Sequence, residues 1–228
     1  MIVRLNNINK IYRNNEFGLG QTVLDGVCLD ISNEDSIAIV GPSGSGKSTL
    51  LNIIGTLDKA DGGITEIFSK KLETYSENQL AEIRNNKIGF IFQMHHLLPQ
   101  LSLIENVLLP VLAQKDNKVI KQSKIRAKDL LKFVGLENSL DHYPGQLSVG
   151  ECQRAAVVRA LINQPELLLA DEPTGSLDER NADLIGNLLL EIKDEYKIAL
   201  VVVTHSMKLA GKLKLTYRLS QGKLLNEN

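Results

Sequence analysis

Residues Ser36 to Thr49 read SIAIVGPSGSGKST. SIAIV is a short apolar run that ends in glycine, which predicts a strand buried on both faces. The nine residues after it, Gly41-Pro42-Ser43-Gly44-Ser45-Gly46-Lys47-Ser48-Thr49, fit G-x-x-x-x-G-K-[ST] where that pattern must sit, after a buried strand and before a helix. Bare glycines let a backbone approach a phosphate closely, and N–H groups at a helix start attract an anion. The pattern gives the backbone N–H groups from Ser43 to Ser48 a β-phosphate to wrap. Lys47 then reaches the β- and γ-phosphates, and the Ser48 hydroxyl becomes a ligand for Mg²⁺.

Further buried strands are expected at Leu167 to Ala170 (LLLA) and Ile198 to Val203 (IALVVV). Between them, Leu184, Ile185, Leu188, Leu189 and Ile192 have helical spacing, so a helix is expected over Asp183 to Tyr196. Strand–helix–strand alternation predicts an α/β core with a parallel sheet. Ile2, Arg4 and Ile8, then Val27, Leu29 and Ile31, read as half-buried antiparallel strands, and Thr216 to Leu225 as a hairpin turning at Gln221-Gly222. From roughly Met94 to Asn163 the pattern is helical: Ile104 to Leu112, Ser123 to Val134 stopped by Gly135, and Glu151 to Ile162 stopped by Pro165. The expectation is one domain over residues 1–228, with core 1–93 and 164–228 and an inserted helical lobe over about 94–163.

The chain of 228 residues is 43% hydrophobic, enough for one large domain, and its formal net charge of −1 gives no overall basic footprint for nucleic acid. Two cysteines cannot form a disulfide framework and suggest a reducing compartment. The N-terminus lacks the charged and apolar regions of a signal peptide, and no apolar run approaches a membrane span. Work at a membrane would therefore require another chain as anchor.

Two further stretches carry chemistry. LLLADEP, Leu167 to Pro173, ends a strand in two acids. Asp171 stands where a carboxylate meets Mg²⁺ at the carboxyl end of a parallel sheet, and Glu172 where a base accepts a proton from water. An acid pair at a helix start is the other reading. QLSVGECQRAAVVRAL, Gln146 to Leu161, places Ser148 and Gly150 at a helix start, a second anion seat or simply a capped core helix.

These motifs, followed by Ser176-Leu177-Asp178 and an isolated His205, occur in the order found in ATP-binding-cassette ATPases, which the chain resembles over nearly its whole length. The resemblance implies a P-loop NTPase core with a parallel sheet, an antiparallel β subdomain and an inserted α-helical lobe. It implies ATP and Mg²⁺ as ligands, and a homodimer in which each ATP lies between one copy's phosphate loop and the other's Ser148 and Gly150. Carried over one position at a time, Tyr12 would stack on adenine, with a core tyrosine at a strand end as the alternative. Gln93 would touch Mg²⁺ and water, Asp178 would cross the dimer, and His205 would contact the γ-phosphate. The sequence departs from the usual Leu-Ser-Gly-Gly-Gln at Val149 and Glu151, and Cys152 replaces a common glutamine. GFIFQ, HLLPQLSLIENVLLP and DEPTGSLD resemble the subgroup that includes lipoprotein-releasing, efflux and cell-division cassettes.

The implied function is ATP hydrolysis driving an integral membrane permease, with an export or lipoprotein-release role and a cytoplasmic, peripheral position on the inner face of the membrane. A cell-division type that signals through its membrane partner without transport is the alternative. A cassette acting on DNA or ribosomes, which usually has coiled-coil arms or tandem cassettes, and a phosphate-loop kinase, which leaves LSVGE and His205 without a task, compete less well. Leu97 to Pro110 is expected to present apolar surface to the permease, against an all-core alternative.

Overall fold

The computed structural model describes residues 1–13, 20–114 and 116–227. In chain order it contains β1 (Val3–Arg13), β2 (Gly20–Ile31), β3 (Ser36–Val40), α1 (Lys47–Ile54), β4 (Gly62–Ile67), β5 (Lys70–Lys71), α2 (Glu77–Lys87) and β6 (Ile88–Ile91). Then follow α3 (Leu103–Leu108), α4 (Asn117–Phe133), α5 (Val149–Leu161), β7 (Leu167–Asp171), α6 (Glu179–Tyr196), β8 (Ala199–Val203), α7 (Met207–Ala210), β9 (Leu215–Ser220) and β10 (Lys223–Asn226). One sheet runs β10-β9-β3-β8-β7-β6, with the β3–β8, β3–β9, β7–β8 and β6–β7 pairs parallel and the terminal β9–β10 hairpin antiparallel. The other runs β2-β1-β4-β5 and is antiparallel.

Side chains on a strand alternate between faces, so each buried strand serves two cores. Ile37 and Ile39 of β3, Leu167 and Leu169 of β7 and Val201 and Val203 of β8 join Leu50, Ile53 and Ile54 of α1 beside the antiparallel sheet. Ala38 and Val40, Leu168 and Ala170, and Leu200 and Val202 join the opposite core. That core runs without a break into Leu103 and Val107 of α3, Leu130 and Leu131 of α4 and Val157 and Val158 of α5. Among the described residues, the stretch between β6 and β7 holds helices and turns and no strand. It shares its core with one face of the sheet.

Several boundaries differ from the sequence expectation, each for a local reason. α6 starts at Glu179 because Asp178 caps it, its Oδ1 accepting from the Asn181 N–H at 2.9 Å. α4 starts at Asn117 behind the cap Asp116, which accepts from the Lys118 N–H at 2.7 Å. α3 ends at Leu108 and tightens into a 3₁₀ turn over Leu109–Ala113, because Pro110 has no N–H to extend the ladder. α5 begins at Val149, two residues before Glu151, because Ser148 caps it. In the apolar run from Leu97 to Pro110, Leu97, Leu103 and Val107 are buried, Leu101, Ile104, Leu108 and Leu109 are half-buried, and Leu98 is exposed.

α5 grips the chain just after β6. The Gln153 amide donates to the Phe92 carbonyl at 3.0 Å, and the Arg159 guanidinium donates to the His96 and His95 carbonyls at 2.7 and 2.6 Å. Each bond to a charged donor contributes on the order of 1.5–3 kcal/mol. Arg159→Ala removes two such bonds and is expected to lower the unfolding midpoint by roughly 6–24 °C, on a scale of about 2–4 °C per kcal/mol at this size. Scanning calorimetry checks it, and a shift under about 1 °C would show that the two bonds are replaced by water.

Candidate functional site

β3 delivers the phosphate loop to the carboxyl end of the parallel sheet, and α1 leaves from it. The residue before α1, Gly46, has φ 97° in the left-handed region. A Cβ there would lie 2.6 Å from Val23 Cγ1, so β2 presses on the loop and only glycine fits. Gly41 is bound as tightly, since a Cβ on it would come 2.2 Å from the Leu219 carbonyl oxygen. The Lys47 ammonium folds back over the loop and donates to the carbonyls of Gly41 and Pro42, both at 3.0 Å. Ser45 Oγ is buried without a hydrogen-bond partner.

Above the loop lies a cleft of about 610 Å³. Tyr12, Ser43, Gly44, Gly46, Lys47, Ser48, Thr49, Gln93, Glu172 and His205 line it, together with Gln21 and Val23. The last two were not singled out from the sequence. Val23 has no local signal there. Gln21 was legible only through strand pairing, since it stands opposite Tyr12 in the β1–β2 register. The Tyr12 hydroxyl donates to Asp58 Oδ2 at 2.9 Å, and Asp58 is held in turn by the Lys10 ammonium at 2.7 Å. The ring of Tyr12 is half exposed toward the cleft.

β7 and β8 are parallel neighbours with Asp171 opposite Val203, and this register brings Glu172 and His205 together. Glu172 Oε2 accepts from the His205 backbone N–H at 3.2 Å and lies 2.8 Å from His205 Nδ1. Glu172 has φ 47°, a strained conformation for a non-glycine residue, fixed in part by its own N–H donating to the Val203 carbonyl at 2.9 Å. One residue earlier, Asp171 is half-buried and its Oδ1 is buried without a partner. Burial pushes its carboxyl up from the ordinary value, with Glu172 adding to this and the Ser48 hydroxyl and Lys47 opposing it. An orphaned carboxylate oxygen beside a serine hydroxyl is a donor set of hard oxygens that fits Mg²⁺. Gln93 follows β6 with its amide packed on Gly175, where a Cβ would meet Nε2 at 3.0 Å. The backbone carbonyl of Gln93 accepts from the Ser176 hydroxyl at 3.2 Å.

Ser148, Gly150 and Asp178 are not among the residues lining this cleft. They form a second group at two adjacent helix starts. Ser148 caps α5, as the capped-helix reading of this stretch allowed. The Glu151 carboxylate accepts from the Ser148 N–H at 2.8 Å and the Ser148 hydroxyl at 2.7 Å. Those hydrogen bonds hold the Glu151 carboxyl below its usual value. Asn181 joins the two helix starts. Its side-chain amide donates to Asp178 Oδ2 at 2.6 Å, and its Oδ1 lies 2.8 Å from where a Cβ on Gly150 would stand. Cys152 is buried and Cys28 exposed, so only the former behaves as a small core residue.

The sequence profile of the ABC transporter family matches residues 24–175. The chain is 42% identical over 225 residues to the lipoprotein-releasing system ATP-binding protein LolD of Francisella tularensis subsp. holarctica, an alignment covering 98% of this chain and 96% of that protein. It is 43% identical over 213 residues to LolD of Bdellovibrio bacteriovorus, covering 93% and 96%. Among solved structures, the dimeric bacterial ABC transporter cassette MJ0796 superposes with a TM-score of 0.86 at 38% identity, over 100% of this chain and 97% of that one. A post-hydrolysis dimer of MJ0796 bound to ADP and Pi gives a TM-score of 0.85 at 37% identity, with the same coverage. The phosphate loop, the cleft above it and these likenesses agree: the chain belongs to the ABC transporter family, as one of its ATP-hydrolysing cassettes.

Proposed function

We propose that two copies of this chain close head to tail on two ATP molecules and drive an integral membrane permease with a lipoprotein-release or related export role. The observation that carries this reading is the split of the site residues into two groups. Lys47, Ser48, Glu172 and His205 face one cleft, while Ser148, Gly150 and Asp178 lie outside it at two helix starts. Ser148 and Gly150 offer the N–H groups of a helix start, now held by the Glu151 carboxylate, and they lie outside their own chain's cleft. Similarity over nearly the whole chain to proteins named for a lipoprotein-releasing system supports the role of the partner. Among the described residues, no helix is long and apolar enough to cross a membrane, so the reading puts the span in the partner. It also puts the cassette on the cytoplasmic face, as a single domain with core 1–93 and 164–228 and lobe 94–163.

In this reading the phosphate-loop N–H groups and Lys47 bind and orient the triphosphate, and Tyr12 stacks on its base. Ser48, Asp171 and Gln93 would hold Mg²⁺, which would supply positive charge to the triphosphate. Glu172, fixed by His205, takes a proton from water, and His205 stays within reach of the terminal phosphate. Ser148 and Gly150 of the other copy complete the pocket, so hydrolysis loosens the dimer.

A mixing experiment tests the composite site. Lys47→Ala disables one copy's loop and Ser148→Arg the other's seat, so each variant alone is expected to be inactive. Mixed, they form heterodimers with one intact pocket, and phosphate release is expected to return. A mixture as inactive as its components would refute the head-to-tail arrangement.

A further inference from the structure

α4 carries six cations and one acid, Asp129, in a chain whose net charge is −1. Five of those cations, Lys118, Lys121, Lys124, Lys128 and Lys132, are exposed. At about 100° per residue they fall within about 120° around the helix axis, along about 21 Å of its length. The opposite face, Ser123, Ala127, Leu130 and Leu131, is buried. Among the described residues none of the five enters an ion pair. Asp129 stands at the edge of the row, and Arg126 turns inward to Ser123 Oγ at 3.4 Å.

Apolar groups sit among these charges. Ile125, 65% exposed, lies within the row. Lys124 borders a hollow of about 370 Å³ lined by Leu101, Leu108, Leu109, Val111, Leu112 and Ile120. Leu112 at its rim is 77% exposed. Glu105 also borders the hollow, but its carboxylate is held by the Ser102 N–H and hydroxyl at 2.8 and 2.9 Å. Glu105 and Asp129 are the acids beside the row, and among the described residues neither is ion-paired with one of its lysines.

We infer that this face of α4 rests on an anionic phospholipid surface. Three features favour lipid over an acidic protein. The charges form a long convex row, with no concave pocket shaped to one carboxylate. They are all lysines, flexible point charges that suit headgroups, where a protein carboxylate is better matched by arginine forks. Exposed Ile125 and Leu112 beside lysine stems match the mixed character of a membrane interface. The inference rests on the reading that the cassette works beside a membrane partner, and it adds a direct contact that needs no partner.

The test uses the purified full chain with vesicles of phosphatidylcholine alone and of phosphatidylcholine with phosphatidylglycerol. Sedimentation at low salt is expected to recover at least about tenfold more protein with the anionic vesicles, and about 0.5 M salt to abolish the difference. Lys121→Glu combined with Lys128→Glu is expected to lower binding at least about tenfold, with ATP turnover and circular dichroism unchanged. Equal recovery on both vesicles, a charge-reversed variant that binds like the wild type, or retention only by an acidic protein overturns the inference. ATP turnover and ATP-driven dimerisation, measured without vesicles, report separately on the composite site.

Discussion

Glu172→Gln is expected to lower ATP turnover by about 10²–10⁴-fold, the range for loss of a general base, with nucleotide affinity changed by less than about threefold. The amide keeps the shape of the carboxylate. Its oxygen still accepts from the His205 N–H, which binds Glu172 Oε2 at 3.2 Å in the wild type, so the cleft keeps its form. It cannot take a proton from water. ATP bound between two copies then persists, and closed dimers accumulate that the wild type would open. Phosphate release measures the first effect and size-exclusion chromatography with ATP the second. Turnover within about threefold of the wild type would remove Glu172 from the role of base and leave its strained φ of 47° without a catalytic reason.

The other large effect is expected at Lys47, which lines the same cleft. Lys47 is only 8% exposed, and Lys47→Ala removes an ammonium that donates to two loop carbonyls. Truncating one member of a desolvated charged contact costs about 2–5 kcal/mol, so ATP affinity should fall at least about 30-fold. The loop itself should survive, because Gly41 and Gly46 are fixed by Leu219 and Val23 and not by the lysine. Titration calorimetry gives the affinity. The unfolding midpoint with and without ATP gives a second readout, since a ligand that binds only the folded state raises it. An affinity within about threefold of the wild type would mean that the ammonium stays on its carbonyls when nucleotide enters.

Much of this architecture could be read from residue patterns. SIAIV and LLLA are short and apolar on both faces, so their burial on both sides of a parallel sheet followed from composition alone. The phosphate loop followed from spacing. What escaped depended on contacts between distant residues or on weak local signals. Val23 reaches the cleft only because β2 lies against Gly46. The first turn of α6 is polar, so apolar spacing missed it, and Asp178 reads as a functional acid before it reads as a helix cap. The N-terminal end of α4 has little apolar periodicity because its lysines face outward. Leu97 to Pro110 looks like surface in isolation, yet the sheet face it covers claims Leu97, Leu103 and Val107. The Glu151 carboxylate on Ser148 was open to a capping reading, since Ser-x-x-Glu is a known helix start.

Asn181 touches both Asp178 and the bare Cα of Gly150. A methyl group at 150 would press on the Asn181 amide oxygen, so the Asn181 side chain would have to swing aside and strain its bond to Asp178. A substitution at either helix start is therefore felt at the other, through one amide that serves as hinge pin for both.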